Sequence, residues 1–172
     1  MIKIEELITE YEIPNWDFRK PQLLKTVSEN KGMLVQEAGG TRISDTNFYY
    51  HHQFPYDKNM KNVILDFMQS YFDMGYSCEW QGQCWHQVYT RGDYHDWHAH
   101  AHVNMSSVIN IQCEEGQGTV FRIGGKEHQY PSREGTIVSF PSTLVHRTLP
   151  HESDDPRIIV SFNWDNLGVM RK

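Results

Sequence analysis

The sequence predicts an α+β protein with a C-terminal double-stranded β-helix (a jelly roll) and N-terminal helices packed on one of its sheets. Three observations predict this fold class. The 172 residues are long enough for one core, and aromatic residues make up 13% of them. Residues 57–74 have the apolar spacing of a core-facing helix. Beyond residue 80, short β-branched and aromatic runs alternate with turn residues, as in a jelly roll.

The chain is expected to form a single domain over residues 1–172. Residues 1–80 are predicted to form a helical or irregular N-terminal support, and residues 81–172 the double-stranded β-helix core. Within the support, residues 15–31 can form a helix if Pro21 occupies the first turn, where a missing backbone N–H is tolerated.

The clearest helix is predicted over Asp57–Met74. Its apolar residues recur at intervals of three and four, which places them on one face. Asp57 can cap the first turn, and Gly75 can end the helix. This face is expected to be core, and its members are Met60, Val63, Ile64, Phe67, Met68, Tyr71 and Phe72.

The C-terminal half is expected to be almost entirely β-structure. Many short strands at this spacing predict a sandwich or a cupin-like jelly roll. Gly124-Gly125 followed by Lys126 lacks the rest of a phosphate-binding loop and is interpreted as a hairpin turn. The strands are predicted near residues 84–90, 97–102, 106–113, 118–123, 135–140, 144–149 and 157–164.

The composition narrows the function classes. The formal net charge is −6 and there is no long basic run, so nucleic-acid binding is not indicated. The three cysteines form no CxxC pair and are expected to be reduced thiols. No apolar run is long enough to span a membrane, and the N-terminus lacks a signal-peptide core. A cytoplasmic protein is expected, and exposed edge strands make a homodimer plausible.

Histidines are concentrated in one short stretch. His98, His100 and His102 alternate with two alanines, so on a strand they would share one face. Neutral imidazole is the commonest metal-binding side chain near neutral pH. His98 and His100 are predicted to bind one metal ion with His146 as the third ligand, which leaves one face of the metal open. His102 is a weaker candidate, and His95 is out of phase with the alternation.

Two segments around these histidines resemble the 2-oxoglutarate/Fe(II) oxygenase superfamily, especially its prolyl-hydroxylase-like members. The segment Val88–Ile111 (VYTRGDYHDWHAHAHVNMSSVINI) resembles the first motif, in which a Tyr and a Gly-aromatic turn precede a His-x-acid or His-x-His pair. The segment Gly135–Asn163 resembles the second motif, in which a strand ending in Phe-Pro precedes the distal His and an Arg. Here His146 and Arg157 are 11 positions apart.

The resemblance implies Fe(II) and 2-oxoglutarate as cofactors, O2 as co-reactant and an unknown primary substrate. Arg157 is expected to bind the remote carboxylate of 2-oxoglutarate, since a guanidinium pairs well with a carboxylate. Tyr89 and Ser161 are candidates for the same site. No catalytic group beyond the metal ligands is expected, because the chemistry belongs to the cofactor.

One departure leaves alternatives open. The superfamily's second ligand is usually Asp or Glu, and this chain has His100. The first hypothesis remains an oxygenase that hydroxylates its substrate. The second is a cupin-like three-histidine metalloenzyme that does not use 2-oxoglutarate, and the third is a non-catalytic metal-binding jelly roll. The aromatic segment Asn47–Tyr56 is interpreted either as a lid over the site or as a packed loop.

Overall fold

The computed structural model describes residues 8–38, 40–49 and 58–170. Two helices and twelve strands lie within these residues. The helices are α1 (Trp16–Glu29) and α2 (Lys58–Asp73). The strands are β1 (Thr9–Glu12), β2 (Met33–Glu37), β3 (Thr41–Thr46), β4 (Tyr76–Glu79), β5 (Cys84–Tyr89), β6 (Tyr94–His98), β7 (Met105–Gln112), β8 (Thr119–Ile123), β9 (Lys126–Tyr130), β10 (Thr136–Pro141), β11 (His146–Thr148) and β12 (Arg157–Val169).

The strands form the predicted double-stranded β-helix. Their hydrogen-bonded order is β1-β10-β7-β12-β5-β3-β6-β11-β8-β9, with β2 beside β3 and β4 beside β12. Strand β3 joins the two halves, because Asp45 and Thr46 pair with β5 while Thr41 and Arg42 pair with β6. The sheet therefore curls around an interior, which is where a site can form.

Side-chain alternation on the central strands separates a helix-facing core from the barrel interior. On β12, Val160 and Phe162 belong to the core that packs under the helices. Ile159, Ser161 and Asn163 point the other way and line the interior cavity. Successive residues of a strand face opposite sides, so one strand supplies both the core and the cavity wall.

Helix α2 packs on the sheet as predicted. Six of the seven predicted core residues are buried, and Phe67 makes edge-to-face ring contacts with Tyr11, Phe162 and Trp164. Phe72 is 38% exposed, contrary to the prediction, because it lies about 100° around the helix axis from Tyr71, at the edge of the apolar face. The predicted cap Asp57 is outside the described residues. No helix in the described part of the chain is long and apolar enough to cross a membrane.

The N-terminal part differs from the prediction in two respects. It is not only helical or irregular, since β1 to β4 lie within residues 1–80. Strand β1 (TEYE) carries the charges typical of an exposed sheet edge rather than an apolar alternation, which explains why it was not predicted. Pro21 is also not in the first turn: α1 begins at Trp16, so Pro21 is its sixth residue and forgoes one helical hydrogen bond.

The predicted strand over residues 97–102 is wrong. Strand β6 ends at His98, and the next residues are irregular. The backbone N–H of His100 donates to the Ser142 carbonyl at 2.9 Å instead of a strand partner. His102 has a left-handed backbone with φ of 67°. The three histidines therefore do not share one strand face.

A buried carboxylate fixes the turn that leads into β6. The Asp93 side chain is fully buried and accepts hydrogen bonds from the backbone N–H groups of Ser44 (3.0 Å) and Thr90 (2.8 Å). It also lies 3.1 Å from Nε of Arg42, on β3. Asp93 thus ties β3 to the start of the strand that carries His98.

Asp93→Asn is expected to lower the free energy of unfolding by roughly 1–3 kcal/mol, because an amide N–H₂ would face Arg42 in place of a charge-paired oxygen. Urea unfolding of the two proteins measures the difference. Asp154→Asn is the matched control: its pair with Arg91 is solvent-exposed, so its loss is expected to lower the free energy of unfolding much less. Equal losses in the two variants would contradict a special contribution from Asp93.

Candidate metal and cosubstrate site

The barrel encloses a cavity of about 470 Å3. Its walls come from both halves of the sheet, so the cavity forms only when the β-helix closes. One wall carries a group of histidines, and the remaining lining is mostly apolar and uncharged polar side chains, with the acidic residues Glu37 and Asp165 among them. Residues used below that line this cavity are Trp85, Gln87, Tyr89, His95, His98, His100, His146, Thr148, Ser161 and Asn163.

Three histidines converge in this cavity. His98 ends β6 and His146 begins β11, and the two are direct partners in the antiparallel pairing. His100 lies two residues beyond β6 and is held by its backbone bond to Ser142. Each of the three offers one ring nitrogen, and these nitrogens all lie within 4.8 Å of one another. The arrangement contains the three residues that the sequence nominated, although a strand end and a loop produce it rather than one continuous strand.

Backbone carbonyls orient two of the rings. Nδ1 of His98 lies 2.8 Å from the Asp96 carbonyl, and Nδ1 of His146 lies 2.8 Å from the Leu144 carbonyl. A carbonyl only accepts hydrogen bonds, so each Nδ1 carries the proton. The Nε2 lone pairs of both rings are then available to a metal, which is the usual arrangement of metal-binding histidines.

His100 is held by side chains instead. Its Nδ1 lies 3.4 Å from the amide of Asn163, whose Oδ1 in turn accepts a hydrogen bond from Ser106 at 2.8 Å. Its ring lies parallel to the ring of His146 and stacks on Trp85 at a centroid distance of 5.9 Å. The ring therefore has a defined orientation without a carboxylate partner.

Burial keeps the cluster neutral. Loss of solvation lowers the pKa of His146 to about 2 and that of His100 to about 4, and it also lowers the pKa of His98. The neighbouring imidazoles add to the effect on His146 and His100, because a second positive charge nearby is unfavourable. Neutral imidazoles bind divalent metals, so the donor set fits an ion such as Fe(II).

These shifts predict how acid affects the metal-free protein. The unfolded chain binds protons near the usual histidine pKa of 6.5, whereas the folded cluster does not. The cluster's full contribution to the free energy of unfolding is therefore present above pH 6.5. The free energy of unfolding falls as the pH drops toward 5, by about 1.4 kcal/mol per pH unit for each proton that only the unfolded chain binds. Urea unfolding in the presence of a chelator measures this slope. His146→Gln should flatten the slope and His102→Gln, an exposed position, should not; equal slopes in both would contradict the assignment.

The other histidines of the described residues lie outside the three-nitrogen cluster. His102 is exposed and is not part of the nitrogen cluster. His95 is also outside that cluster, as predicted from its phase, but it lines the cavity and stacks on His98 at a centroid distance of 3.8 Å. His86 and His151 are buried packing residues. His51 and His52 lie outside the described residues.

Arg157 is buried, and no carboxylate of the described residues pairs with it. Only 2% of its surface is exposed, and within the same part of the chain its one hydrogen bond runs from Nη2 to the Ser132 hydroxyl at 3.3 Å. Its Nε has no partner among the described residues. Burial lowers the pKa of the guanidinium, and the nearest groups that offset this are Tyr89 and Cys113 rather than an acid. A buried unpaired cation is costly, so this arrangement suits an anionic ligand.

The sequence analysis expected Arg157 to share one cosubstrate site with Tyr89 and Ser161, but Arg157 does not line the cavity that those two residues line. Arg157 lines a second cavity of about 360 Å3 next to the first. Thr148 lines both cavities, and the guanidinium lies 5.8 Å from the centre of the Tyr89 ring. The difference arises because Arg157 is the first residue of β12, at the end of the barrel.

Tyr89 and Ser161, the other two predicted cosubstrate residues, both line the main cavity. Tyr89 is fully buried, and burial raises its pKa to about 12, an effect that nearby Arg157 partly offsets. Ser161 donates a hydrogen bond to Oε1 of Gln87 at 3.1 Å. The Ser161 hydroxyl proton is therefore already used within the protein.

The sequence reasoning missed Gln87 and Thr148. Gln87 lies between Trp85 and Tyr89 on β5, and all three line the cavity. The alternation of that strand could have identified Gln87 once Tyr89 was nominated. Thr148 gave no comparable signal, because β11 is too short to show an alternation that would identify Thr148 as a cavity-lining residue. Of the predicted aromatic loop, Phe48 and Tyr49 line the cavity, while residues 50–56 are outside the described part.

Comparison with known proteins supports the sequence resemblance. Residues 121–163, which include His146 and Arg157, match a protein family described as "Putative 2OG-Fe(II) oxygenase". No curated protein sequence matches the chain.

Three solved structures illustrate the likeness in fold. The chain is similar to the viral collagen prolyl hydroxylase vCPH from Paramecium Bursaria Chlorella virus-1, in its 2OG complex, with a TM-score of 0.61 and 15% identity over 93% of this chain and 96% of that one. A Pseudomonas putida prolyl-4-hydroxylase has a TM-score of 0.56 and 16% identity over 96% of this chain and 93% of that one. HygX from Streptomyces hygroscopicus, with nickel, 2-oxoglutarate and hygromycin B bound, has a TM-score of 0.65 and 8% identity over 93% of this chain and 83% of that one. The predicted resemblance to this superfamily and the predicted fold class are confirmed.

Proposed function

We propose that this chain, whose fold and C-terminal motif are those of the 2OG-Fe(II) oxygenases, is an Fe(II)- and 2-oxoglutarate-dependent dioxygenase that hydroxylates an as yet unidentified substrate. One observation carries the proposal. A neutral three-histidine cluster lines the same barrel whose far end holds a buried arginine, Arg157, that has no acidic partner among the residues the structure describes. A metal and a dicarboxylic acid would satisfy both groups at once.

The proposed metal ligands are His98, His100 and His146. Nε2 of His98 and of His146 is free for the ion, and Asn163 and Trp85 hold the ring of His100. These three residues would hold the ion from one side of the cavity, which would leave room for the cosubstrate and O2. When bound, Fe(II) and 2-oxoglutarate supply the oxidising chemistry, with succinate and CO2 as co-products.

The proposed site for the remote carboxylate of 2-oxoglutarate lies between the two cavities. Arg157 provides the charge, Tyr89 provides a buried hydroxyl, and Thr148 lies on the wall that both cavities share. Arg157 and Tyr89 face each other directly in the pairing of β12 with β5, so both rest on rigid strands. Ser161 contributes through Gln87 rather than by a direct contact.

The cavity walls would position the primary substrate and limit access of bulk water to the metal. Phe48, Tyr49 and Trp85 form the aromatic part of the lining. Phe48 makes edge-to-face contacts with both other rings, at 5.4 Å to Tyr49 and 5.3 Å to Trp85. This supports a substrate that offers an apolar or cationic surface to aromatic rings.

We also propose a cytoplasmic location and, as partners, O2 and a second copy of the chain. The thiols of Cys78, Cys84 and Cys113 are unpaired, which is typical of a reducing compartment. Strands β1 and β9 lie at the two ends of the strand order, where an edge can pair with another copy. No membrane or nucleic-acid partner is proposed.

Incubation with Fe(II), 2-oxoglutarate and O2 tests the proposed function. Succinate is expected above the level of a blank that contains free iron without protein, and a chelator should abolish the difference. Release of succinate by wild type and by the exposed-site variant His102→Gln, but not by His146→Gln, would support the proposal. A protein that holds the metal in the cluster but forms no succinate and has no affinity for 2-oxoglutarate would favour the cupin-like three-histidine alternative.

A further inference from the structure

A fourth histidine lies in the cavity beside the proposed metal ligands. The ring of His95 lies against the ring of His98, with centroids 3.8 Å apart and planes 14° from parallel. His95 pairs with Thr148 of β11, so it also lies on the side of the cavity that leads to Arg157. Its position is therefore between the metal ligands and the proposed carboxylate site.

A chain of hydrogen bonds determines which nitrogen of His95 carries the proton. Ser161 Oγ donates to Oε1 of Gln87 at 3.1 Å, which leaves the Gln87 Nε2 group as a donor. That group lies 3.3 Å from Nδ1 of His95. An amide N–H₂ cannot accept a hydrogen bond, so Nδ1 of His95 must be the acceptor and the proton is on Nε2.

The Nε2–H group of His95 is then left for a ligand. It makes no hydrogen bond to any residue in the described ranges, although the ring lines the cavity. Gln87 is buried and lies opposite Ile159 on the neighbouring strand, so the relay that sets this tautomer rests on two rigid strands. The geometry thus provides one preoriented N–H donor beside the metal cluster.

We propose that His95 is a cosubstrate-binding residue whose Nε2–H donates a hydrogen bond to the 2-oxo-acid end of 2-oxoglutarate. The inference rests on the proposed function and assigns a further residue to the same site. Ser161 and Gln87 are positioning residues, because they act on the cosubstrate only through the imidazole. His95 is not a fourth metal ligand, since its ring is outside the set of three nitrogens, from His98, His100 and His146, that converge on one point.

Titration of the Mn(II)-loaded protein with 2-oxoglutarate tests the contact without relying on turnover. His95→Ala should weaken 2-oxoglutarate binding by about 10- to 100-fold, since a hydrogen bond to a charged group is lost. The affinity for Mn(II) itself should change far less than the affinity for 2-oxoglutarate, because none of the three proposed ligands is removed. His95→Gln, which can restore an N–H donor, should recover part of the affinity for 2-oxoglutarate.

Gln87→Glu tests the tautomer with little change in side-chain volume. A carboxylate only accepts, so it would draw the proton to Nδ1 of His95 and leave Nε2 as an acceptor facing the cosubstrate. Binding of 2-oxoglutarate should fall by about 10-fold or more. Gln81→Glu is the matched control: it adds the same charge to an exposed residue of the same cavity, and it should have a much smaller effect.

Each failure has its own signature. Wild-type protein that binds Mn(II) but not 2-oxoglutarate would overturn the proposed function together with this inference. Wild type that binds 2-oxoglutarate while His95→Ala binds it equally well would overturn only the inference. Loss of Mn(II) affinity in His95→Ala would indicate that His95 is a metal ligand. Equal losses of 2-oxoglutarate affinity in Gln87→Glu and Gln81→Glu would show that the added negative charge, not the tautomer of His95, causes the effect. Either result would contradict the assignment.

Discussion

Replacing His146 with Ala is expected to lower metal affinity by more than about 100-fold. Loss of a residue that merely orients a ligand typically costs 10- to 100-fold, and His146 is itself a proposed ligand. Its ring is central to the cluster, with centroids 4.1 Å from His98 and 5.4 Å from His100. The metal content of protein purified in parallel, and a Mn(II) titration, measure the change.

His102→Ala is the matched control for this prediction. It removes an imidazole from the same histidine-rich segment, but from an exposed position outside the cluster. It should retain the metal affinity of wild type. A His146→Ala protein that keeps its fold by circular dichroism and its full metal content would show that the three nitrogens do not form the metal site.

Replacing Arg157 with Met is expected to weaken 2-oxoglutarate binding by about 2–5 kcal/mol, roughly 30-fold to several thousand-fold. Met has a similar length but no charge, so the remote carboxylate would enter a buried site without a cation. Metal affinity should not change, because Arg157 lines the second cavity and is not one of the three histidines that form the proposed metal site. Calorimetric titration of the metal-loaded variant measures the loss.

The same substitution has an opposite expected effect on the ligand-free protein. Arg157 is a buried cation whose Nε has no partner among the described residues. Its removal should leave the free energy of unfolding unchanged or raise it, since an unpaired buried charge is unfavourable. Arg133→Met is a suitable control, because Arg133 is half-exposed and paired with Glu10 and Glu12. Unchanged 2-oxoglutarate affinity in Arg157→Met would contradict the proposed carboxylate site.

Periodic patterns predicted the elements that have one buried face. Helix α2 and most strands from β5 onward carry strong apolar signals, and their positions agree with the prediction to within a few residues. The exceptions are β6 and β12, whose bounds differ more, and β9, which was not predicted. Strands β1, β2 and β9 lie at edges or over the outside of the barrel and carry mostly exposed residues. Their stability comes from pairing with strands distant in sequence, which local composition does not encode.

The histidine cluster was predicted through a partly incorrect route. Alternation of His98 and His100 suggested one strand face, but the strand ends at His98 and a backbone bond to Ser142 places His100. The same loop turns His102 away with a left-handed backbone. Spacing alone could not distinguish these two paths, because both bring His98 and His100 to the same side.

The surroundings of the cluster depend on tertiary contacts that the sequence does not reveal. The tautomer of His95 follows from Gln87 and Ser161, which are 8 residues and 66 residues away along the chain and meet only after β5 pairs with β12. The nearest polar neighbours of Arg157 are likewise set by closure of the barrel end. The resemblance to the oxygenases nominated the candidate site residues, and the structure determines what each one contacts.

The most direct test of the account is a titration with 2-oxoglutarate of the wild-type protein, with and without stoichiometric Mn(II), in the absence of O2. The account predicts one molecule of 2-oxoglutarate per bound metal ion, and affinity that disappears when a chelator removes the metal. It also predicts that His146→Ala abolishes this metal-dependent binding. A metal-loaded wild-type protein with no affinity for 2-oxoglutarate, or with the same affinity after the metal is removed, would contradict it.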